Sequence, residues 1–191
     1  GISAMSGSVS DFSNNNFTIS PVTPSPCTIT SLAPNAVTHN PESFSTSSGD
    51  DIIVNGQANC TYTVTESCSW LTVSPMSGTT NSAKQALINY SIQANTSSSS
   101  RQCTFYVNGS PVTITQNGCS SGFSRSTKSV SGSGLTYDLD VDSYTPCSWN
   151  IQNSSSWVHL SQLSGTGSPT ISVTVDPNLT YDSRTCTLTI S

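Results

Sequence analysis

The chain has 191 residues, a net charge of −5 and 8% charged residues, of which five are Lys or Arg. So few basic residues cannot neutralise a run of phosphates, which excludes a typical nucleic-acid-binding protein. No apolar stretch approaches the roughly 20 residues of a membrane-spanning helix, so we expect no membrane insertion.

Short alternating runs of apolar and polar residues predict β-strands along the chain. In the first 41 residues, interpreted as an N-terminal arm, the alternation includes Phe17 and Ile19. Further runs follow at residues 88–92, 103–107, 171–175 and 186–190. Turn residues such as Asn108-Gly109 separate them. Many short strands with regular turns predict an all-β protein built as β-sandwiches.

Two stretches of the chain resemble each other, which indicates tandem domains of about 75 residues. The matched pairs are Cys60 with Cys147, Trp70 with Trp157, Gly78 with Gly165, Asn95 with Asn178, Arg101 with Arg184, and Cys103 with Cys186. We therefore predict an arm at residues 1–41, a first domain at 42–118 and a second at 119–191.

Seven cysteines predict disulfide bonds and an oxidising, extracellular compartment. We expect Cys60 to bond Cys103 across the first sandwich and Cys147 to bond Cys186 across the second. Each bond would stabilise its small domain by roughly 4 kcal/mol. With no Cys-x-x-Cys pair and two His, the chain predicts no metal site and no cofactor.

A series of short motifs marks the first repeat. They are Cys-x-Tyr from Cys60, Trp-Leu-x-Val-Ser-Pro-x-Ser-Gly from Trp70, Asn-x5-Arg from Asn95 and Val-Thr-Ile-Thr-Gln-Asn-Gly from Val112. This order resembles the BACON domain family, well over 42–118 and partly over 123–191. The resemblance implies immunoglobulin-like β-sandwiches of secreted bacterial proteins, often in tandem. The family name implies carbohydrate or mucin binding, but no binding residues carry over.

The second repeat departs from the first at its end. Residues 110–118 are the last predicted strand of the first repeat, whereas the second repeat has no such strand after its Cys186, Leu188 and Ile190 run. A sandwich without its final strand leaves an open sheet edge. We therefore predict an acceptor edge at Cys186, Leu188 and Ile190.

The N-terminal arm carries a segment similar to that final strand. Residues 25–30 agree with residues 110–115 at five of six positions. We predict a donor strand within about 16–30, with Phe17, Ile19, Cys27 and Ile29 as its apolar side chains. Strand donation of this kind is a form of β-strand addition.

Three arrangements follow from this match. The arm inserts into the second repeat of a neighbouring subunit, and head-to-tail repetition then makes an open filament. Alternatively, the arm folds back onto its own second repeat and closes a monomer. In the third arrangement, the arm is the remnant of a preceding repeat in a longer tandem array.

Three further cysteines, Cys27, Cys68 and Cys119, have no partner in the repeat. An odd total leaves one thiol free or available to another molecule. Cys27 lies on the predicted donor strand, where a bond to another subunit would lock a fibre. In the alternative, Cys27 or Cys68 bonds Cys119 within one chain.

Seven Asn-x-Ser/Thr sequons are compatible with glycosylation. They are Asn16, Asn59, Asn89, Asn95, Asn108, Asn153 and Asn178. The aromatic residues that could line a glycan-binding face are Tyr62, Tyr106, Tyr144 and Trp149. Trp70 and Trp157 are interpreted as core residues, with sugar stacking as the alternative.

The residues contain no nucleophile elbow, metal cluster or phosphate loop, so we do not expect an enzyme. His39 lies in a proline-rich stretch and His159 in a strand near Trp157. The predicted function is a secreted structural subunit of a pilus-like filament, with copies of itself as partners. The alternatives are a glycan-binding module and a spacer in a larger surface protein.

Overall fold

A computed structural model describes residues 28–46 and 50–191, and the regular elements in these ranges are all β-strands. The predicted all-β class is confirmed. Three predicted donor residues, Phe17, Ile19 and Cys27, lie outside the described residues, as does Asn16. Over the described ranges, no helix is long and apolar enough to cross a membrane.

The first half of the described chain forms a β-sandwich of ten strands. They are β1 (Ile29–Ala33), β2 (Ala36–His39), β3 (Phe44–Ser45), β4 (Ile52–Gly56), β5 (Thr61–Thr65), β6 (Leu71–Ser74), β7 (Ser77–Thr79), β8 (Gln85–Ile92), β9 (Arg101–Val107) and β10 (Ser110–Gln116). One sheet has the order β1-β4-β8-β3, with β6 also paired to β8, and the other has the order β2-β10-β9-β5-β7. Asn108 and Gly109, both at positive φ, form the tight turn between β9 and β10.

The second half forms a smaller sandwich of seven strands. They are β11 (Ser121–Phe123), β12 (Leu135–Ser143), β13 (Ser148–Asn153), β14 (Val158–Leu160), β15 (Ser164–Thr166), β16 (Thr170–Val175) and β17 (Leu188–Ile190). Its sheets have the orders β11-β12-β16-β14 and β15-β13-β17. Seven strands of the first sandwich thus have counterparts here, while no described strand corresponds to β2, β3 or β10.

Each sandwich has its own core, because alternate side chains of both sheets point inward. Phe105 and Ile88 are fully buried in the first core, and Ile171 and Val173 in the second. The two sandwiches also share a close contact between a glycine and an aromatic side chain. In the first sandwich, a Cβ on Gly78 would lie 2.6 Å from the Tyr62 hydroxyl oxygen. In the second, a Cβ on Gly165 would lie 2.7 Å from Cζ2 of Trp149.

The first sandwich begins earlier than the sequence indicates. Ile29 of β1 pairs with Gly56 of β4, and β2 runs parallel to β10. Residues 29–39 are therefore strands of the first sandwich, which corrects the predicted arm of residues 1–41. The cause is hydrophobic, since Leu32 and Val37 pack against the first core. Ile29 is thus not a donor residue, because its backbone is already paired within its own sheet.

The predicted disulfide pairing is wrong in both sandwiches. Cys103 bonds Cys68, and Cys147 bonds Cys119. Cys60 is disulfide-bonded, but not to Cys103. The register explains the first difference: β5 pairs with β9 through Val64 and Val107, which brings Cys68 opposite Cys103 and leaves Cys60 at the other end of β5.

Cys186 is a free, half-buried thiol. It corresponds to Cys103, and β13 pairs with β17 in the same register as β5 with β9. The residue opposite Cys186 in that register is Ser155, which stands where the first sandwich has Cys68. The predicted bond from Cys147 to Cys186 is therefore absent because Cys186 faces a serine and Cys147 lies near Cys119.

Cys119 joins the two sandwiches. Its backbone N–H donates a hydrogen bond to the Ser97 carbonyl oxygen, 2.7 Å away, in a loop of the first sandwich. Its side chain is bonded to Cys147 at the start of β13. The predicted alternative, a bond to Cys119 from Cys27 or from Cys68, is therefore wrong, because Cys119 bonds Cys147.

Candidate functional site

The outer edge of β17 is the feature that most distinguishes the two sandwiches. In the first, β9 lies between β5 and β10. In the second, β17 pairs with β13 on one side only, and no described residue pairs with its other side. The predicted acceptor edge at Leu188 and Ile190 is thus an edge strand, whereas Cys186 lies just before it.

The backbone groups of β17 alternate between the two sides. Ser191 and Asn150 exchange both backbone hydrogen bonds, at 2.9 and 3.0 Å. In an antiparallel pair, the residues between such bonded pairs direct their N–H and C=O groups to the opposite side. Leu188 and Ile190 therefore direct theirs to the open edge, where another strand could bind them.

The side chains at this edge are incompletely buried. Phe105 and Val107 of β9, which lies between β10 and β5 in its sheet, are 0% exposed. Their counterparts Leu188 and Ile190 pack against the second core but remain half-buried. Apolar surface that the first sandwich buries is therefore left partly in solvent in the second.

A groove of about 660 Å³ lies beside β13. Its lining includes Ile151 of β13, Leu160 of β14 and Leu163, and the Ile151 backbone N–H donates to the Leu163 carbonyl oxygen. Thr187 and Thr189 also line it, whereas Leu188 and Ile190 do not. The groove is therefore separate from the open edge of β17.

An arginine anchors the neighbouring loop in each sandwich. In the first, Cζ of Arg101 lies 4.4 Å from the centroid of the Trp70 ring. Nη2 of Arg101 donates to the Gln93 and Ala94 carbonyl oxygens, at 2.5 and 3.1 Å. Its Nε donates to Oε1 of Gln116 in β10, at 2.9 Å. Burial lowers the pKa of Arg101 without removing its charge at ordinary pH.

Arg184 repeats this arrangement, with one bond fewer. Its Cζ lies 4.2 Å from the centroid of the Trp157 ring, and its Nη2 donates to the Asp176 and Pro177 carbonyl oxygens at 2.6 and 3.1 Å. Among the described residues, its Nε has no acceptor. Arg184 is exposed, and the acceptor it lacks is the one that β10 supplies to Arg101.

A loop asparagine shows the same difference. Nδ2 of Asn95 donates to the carbonyl oxygens of Ser99 and Asn117, both at 2.9 Å. Nδ2 of Asn178 donates to the Asp182 carbonyl oxygen at 2.8 Å, and the described chain offers its second hydrogen no partner. Among the described residues, Arg184 and Asn178 therefore each have an N–H group without an acceptor. The corresponding groups of the first sandwich donate to Gln116 and Asn117.

Two of the four aromatic residues predicted for a glycan face are unsuitable. Tyr62 and Trp149 are core residues, at 3% and 2% exposed. Tyr106 is 44% exposed and Tyr144 is half-buried. Trp70 and Trp157 are half-buried against the cores, as interpreted, and arginine side chains cover their ring faces.

The sequons differ in accessibility. Asn95 is 3% exposed and its amide is fully hydrogen-bonded, which leaves no room for a glycan at this position. Of the other described sequons, three are exposed and two are half-buried: Asn59, Asn89 and Asn108, then Asn153 and Asn178. Their glycosylation stays a prediction.

A partly buried polar pair in the first sandwich was not predicted from the sequence. His39 Nε2 lies 2.8 Å from the Tyr90 hydroxyl oxygen, and the His39 and Phe44 rings are 4.2 Å apart. Burial lowers the pKa of His39, against the opposing charge of Asp50. Burial, with Asp50 and Asp51, raises the pKa of Tyr90 to about 12. The sequence analysis missed this pair because it assigned His39 to the arm rather than to β2.

A cluster with metal-ligand side chains proves to be a disulfide. Glu66, Cys68 and Cys103 lie close together, and within the described ranges they are the one such group. Two of them share the disulfide bond, so their sulfurs are not thiolate ligands. The Glu66 carboxylate instead accepts a hydrogen bond from the Cys68 backbone N–H.

Family profiles decide the relationship of the chain. The profile of the viral BACON domain matches residues 36–118, and the profile of BACON, a putative binding domain, matches residues 148–191. The chain belongs to the BACON family. The first BACON match begins with β2, and the second runs from the start of β13 through β17.

Solved structures with similarity to this BACON protein are distant. A xyloglucanase from Bacteroides ovatus has 17% identity and a TM-score of 0.37, over 46% of this chain and 18% of that chain. A Porphyromonas gingivalis protein of unknown function has 9% identity and a TM-score of 0.36, over 81% and 85%. The adhesin InvE of Yersinia pseudotuberculosis has 17% identity and a TM-score of 0.26, over 77% and 50%. No match is found among curated proteins.

Proposed function

We propose that the chain is a subunit of an extracellular fibre in which the second BACON sandwich accepts a β-strand from another copy. The observation that carries this proposal is the outer edge of β17. Leu188 and Ile190 direct backbone N–H and C=O groups outward there, and their side chains are only half-buried. An exposed sheet edge with apolar side chains is a template for strand pairing.

The donor in this proposal is the N-terminal segment at residues 16–26 of the next copy. Ile29 and the rest of β1 already pair with β4, so the donor must precede them. Phe17 and Ile19 alternate with polar residues, as a strand that inserts apolar side chains between two sheets requires. One acceptor and one donor on different parts of each copy give a head-to-tail polymer.

The cysteine chemistry supports an extracellular setting for this fibre. Two disulfides brace the described chain, and such bonds persist in oxidising compartments. The low charge content, 8% of residues, limits repulsion between closely packed copies. The free thiol of Cys186 lies just before β17, where a donor strand would pass.

The test uses paired substitutions in the donor segment, which leave all seven cysteines in place. In the proposed strand, Phe17 and Ile19 face the second core and Thr18 faces away. The F17D/I19D variant should remain monomeric by light scattering and form no fibres by negative-stain microscopy, while T18D should assemble like the original chain. Monomers in all three samples would overturn the proposal, as would equal assembly by all three.

Glycan binding is the second candidate function, favoured by Tyr106. This residue is 44% exposed on β9 and is the most accessible of the predicted aromatic residues. An exposed tyrosine offers an apolar ring and a hydroxyl for sugar contact. A glycan array probed with the intact chain and with Y106A tests this role. The original chain should bind a glycan on the array, and Y106A should lose that binding.

A further inference from the structure

We propose that the disulfide between Cys119 and Cys147 locks the joint between the two BACON sandwiches, where the joint is residues 117–121. With the bond closed, both sandwiches turn in solution as one rigid body. With the bond open, the chain around Ser120 becomes a hinge between them. This inference goes beyond the fibre proposal and does not rest on it.

Little else connects the two sandwiches. Their cores are separate, and within the described part of the chain no strand of one packs extensively against a strand of the other. Apart from the bonds of Cys119, no described hydrogen bond or ion pair crosses between them. An open cleft of about 320 Å³ lies between the facing surfaces, and it is lined by Glu42, Ser43, Ala94, Thr145 and Pro146. Domains with so small a contact move relative to each other unless their connection restrains them.

The start of the joint is fixed to the first sandwich. The Asn117 backbone N–H donates to the His39 carbonyl oxygen at 2.9 Å. The Asn117 carbonyl oxygen accepts a hydrogen bond from Nδ2 of Asn95, also at 2.9 Å. The Cys119 N–H then donates to the Ser97 carbonyl oxygen at 2.7 Å. The backbone as far as the Cys119 N–H therefore moves with the first sandwich.

The end of the joint is fixed to the second sandwich. Ser121 pairs with Ser143 between β11 and β12, and their Oγ atoms lie 3.0 Å apart. The Ser143 hydroxyl also donates to the Ser120 carbonyl oxygen at 3.3 Å. Only the backbone dihedrals of Cys119 and Ser120 lie between the two fixed ends. Rotation about these bonds is the motion that would turn one sandwich against the other.

The disulfide bridges the same rotatable bonds from the side. Cys147 is 0% exposed in the second sandwich, where its N–H donates to the Tyr144 carbonyl oxygen at 2.8 Å and its carbonyl oxygen accepts from the Gly167 N–H at 3.2 Å. Its sulfur is bonded to Cys119, whose backbone is held by the first sandwich. Two covalent connections across one joint leave far fewer orientations than one connection does.

A dithiol would open this lock by thiol–disulfide exchange. Its first thiolate attacks Sγ of Cys119, which is half-buried, whereas Cys147 is fully buried. The bond to Cys147 breaks, and the Cys147 thiolate takes up a proton. The second thiol of the reagent then displaces Cys119 as a thiol. Two electrons pass from the dithiol to the protein, and the dithiol becomes a disulfide.

The experiment measures the rotational correlation time of each sandwich from NMR relaxation of the backbone amides. The full chain with F17D/I19D, designed to remain monomeric, is the starting protein, and both sandwiches should share one value. Adding C119S should give two separate values, falling towards about half of the shared one, because each sandwich then turns largely alone. Cys147 stays in this variant as a small buried apolar side chain.

C68S in the same starting protein is the matched control. It too replaces the half-buried partner of a disulfide and leaves the buried partner, Cys103, as a thiol. Because this bond lies within the first sandwich, the shared correlation time should remain. Dithiothreitol added to C68S should then produce the two values of C119S. Amide chemical shifts around Phe105 and Val173, in the two cores, should be unchanged in every sample.

Three results would each overturn the inference. They are separate correlation times in the F17D/I19D starting protein, one shared value in C119S, and equal behaviour of C119S and C68S. A fourth is a shared value in C68S after thiol counting shows that the bond from Cys119 to Cys147 is reduced. The fibre proposal is decided by assembly of the original chain, so either idea can fail while the other stands.

Discussion

The two sandwiches share one arrangement of strands. They differ in what lies beside two corresponding strands, β9 in the first sandwich and β17 in the second. In the first, β10 covers β9, and its Gln116 completes the bonds of Arg101. In the second, the corresponding arginine, tryptophan and asparagine are in place around β17, and no described strand lies on its outer side. The comparison therefore shows which bonds of the first sandwich the described residues of the second do not make.

The largest difference in lost stability should appear when the same core position is truncated to alanine in each sandwich. F105A removes a side chain that is 0% exposed and should cost about 3 to 5 kcal/mol of unfolding free energy in the first sandwich. L188A removes a half-buried side chain and should cost about 1 to 2 kcal/mol in the second. Hydrogen exchange with mass spectrometry resolves the two sandwiches, and similar losses would show that the edge at β17 is covered.

Removing the disulfide of the first sandwich, or adding the equivalent one to the second, should make the stabilities of the two sandwiches more alike. The C68S/C103S variant should lose about 3 kcal/mol of stability in the first sandwich. Conversely, S155C should form a bond to Cys186 and stabilise the second sandwich by up to about 3 kcal/mol. Thiol counting by mass spectrometry checks the new bond, with S154C as the control in which two thiols remain. A free thiol at both positions of S155C would refute the equivalence of the registers.

Removing the arginine from each copy should have unequal effects. R101A leaves Gln116, which is 0% exposed, without its partner and should cost about 2 kcal/mol. R184A removes an exposed side chain with no glutamine partner among the described residues and should cost under about 1 kcal/mol. Urea unfolding followed by hydrogen exchange gives both values. Equal costs would mean that the glutamine bond contributes nothing to the first sandwich.

The smallest effect should be a pH dependence of the first sandwich. Burial lowers the folded-state pKa of His39 below its ordinary 6.5, so the unfolded chain binds more protons as the pH falls through 6.5. The stability of the first sandwich should therefore fall between pH 7.5 and 5.5. H39Q should flatten this slope and H159Q should leave it, both followed by hydrogen exchange. A slope that persists in H39Q would assign it to other groups.

The sequence predicted the repeat well because alternation and turn residues are local signals. The strands around Tyr90, Phe105 and Val173 lie where their periodicity indicates, as does β17 at Leu188–Ile190. Disulfide partners were mispredicted because they depend on strand register, which the spacing between Cys60 and Cys103 does not encode. Once β5 and β9 are paired, the partner of Cys103 follows directly.

The first strands of the chain were assigned to the arm for a similar reason. Residues 29–39 carry few apolar side chains, and only pairing with β4 and β10 assigns them to the first sandwich. The bonds of Arg184 were also beyond the sequence alone. The alignment of Arg101 with Arg184 was visible in the sequence, but only the structure shows that Arg101 Nε donates to Gln116 while Arg184 Nε has no acceptor within residues 28–46 and 50–191.

The disulfide from Cys119 to Cys147 has a mechanical consequence. Tension along the backbone of an unfolded second sandwich would pass directly through this bond, so the segment between the two cysteines would bear no load. The bond spans a sequence separation of 28 residues, and a fully extended chain advances about 3.5 Å per residue. The sandwich would therefore lengthen by roughly 100 Å less when pulled open than its residue count implies. In single-molecule stretching, the missing length should return as soon as the disulfide is reduced.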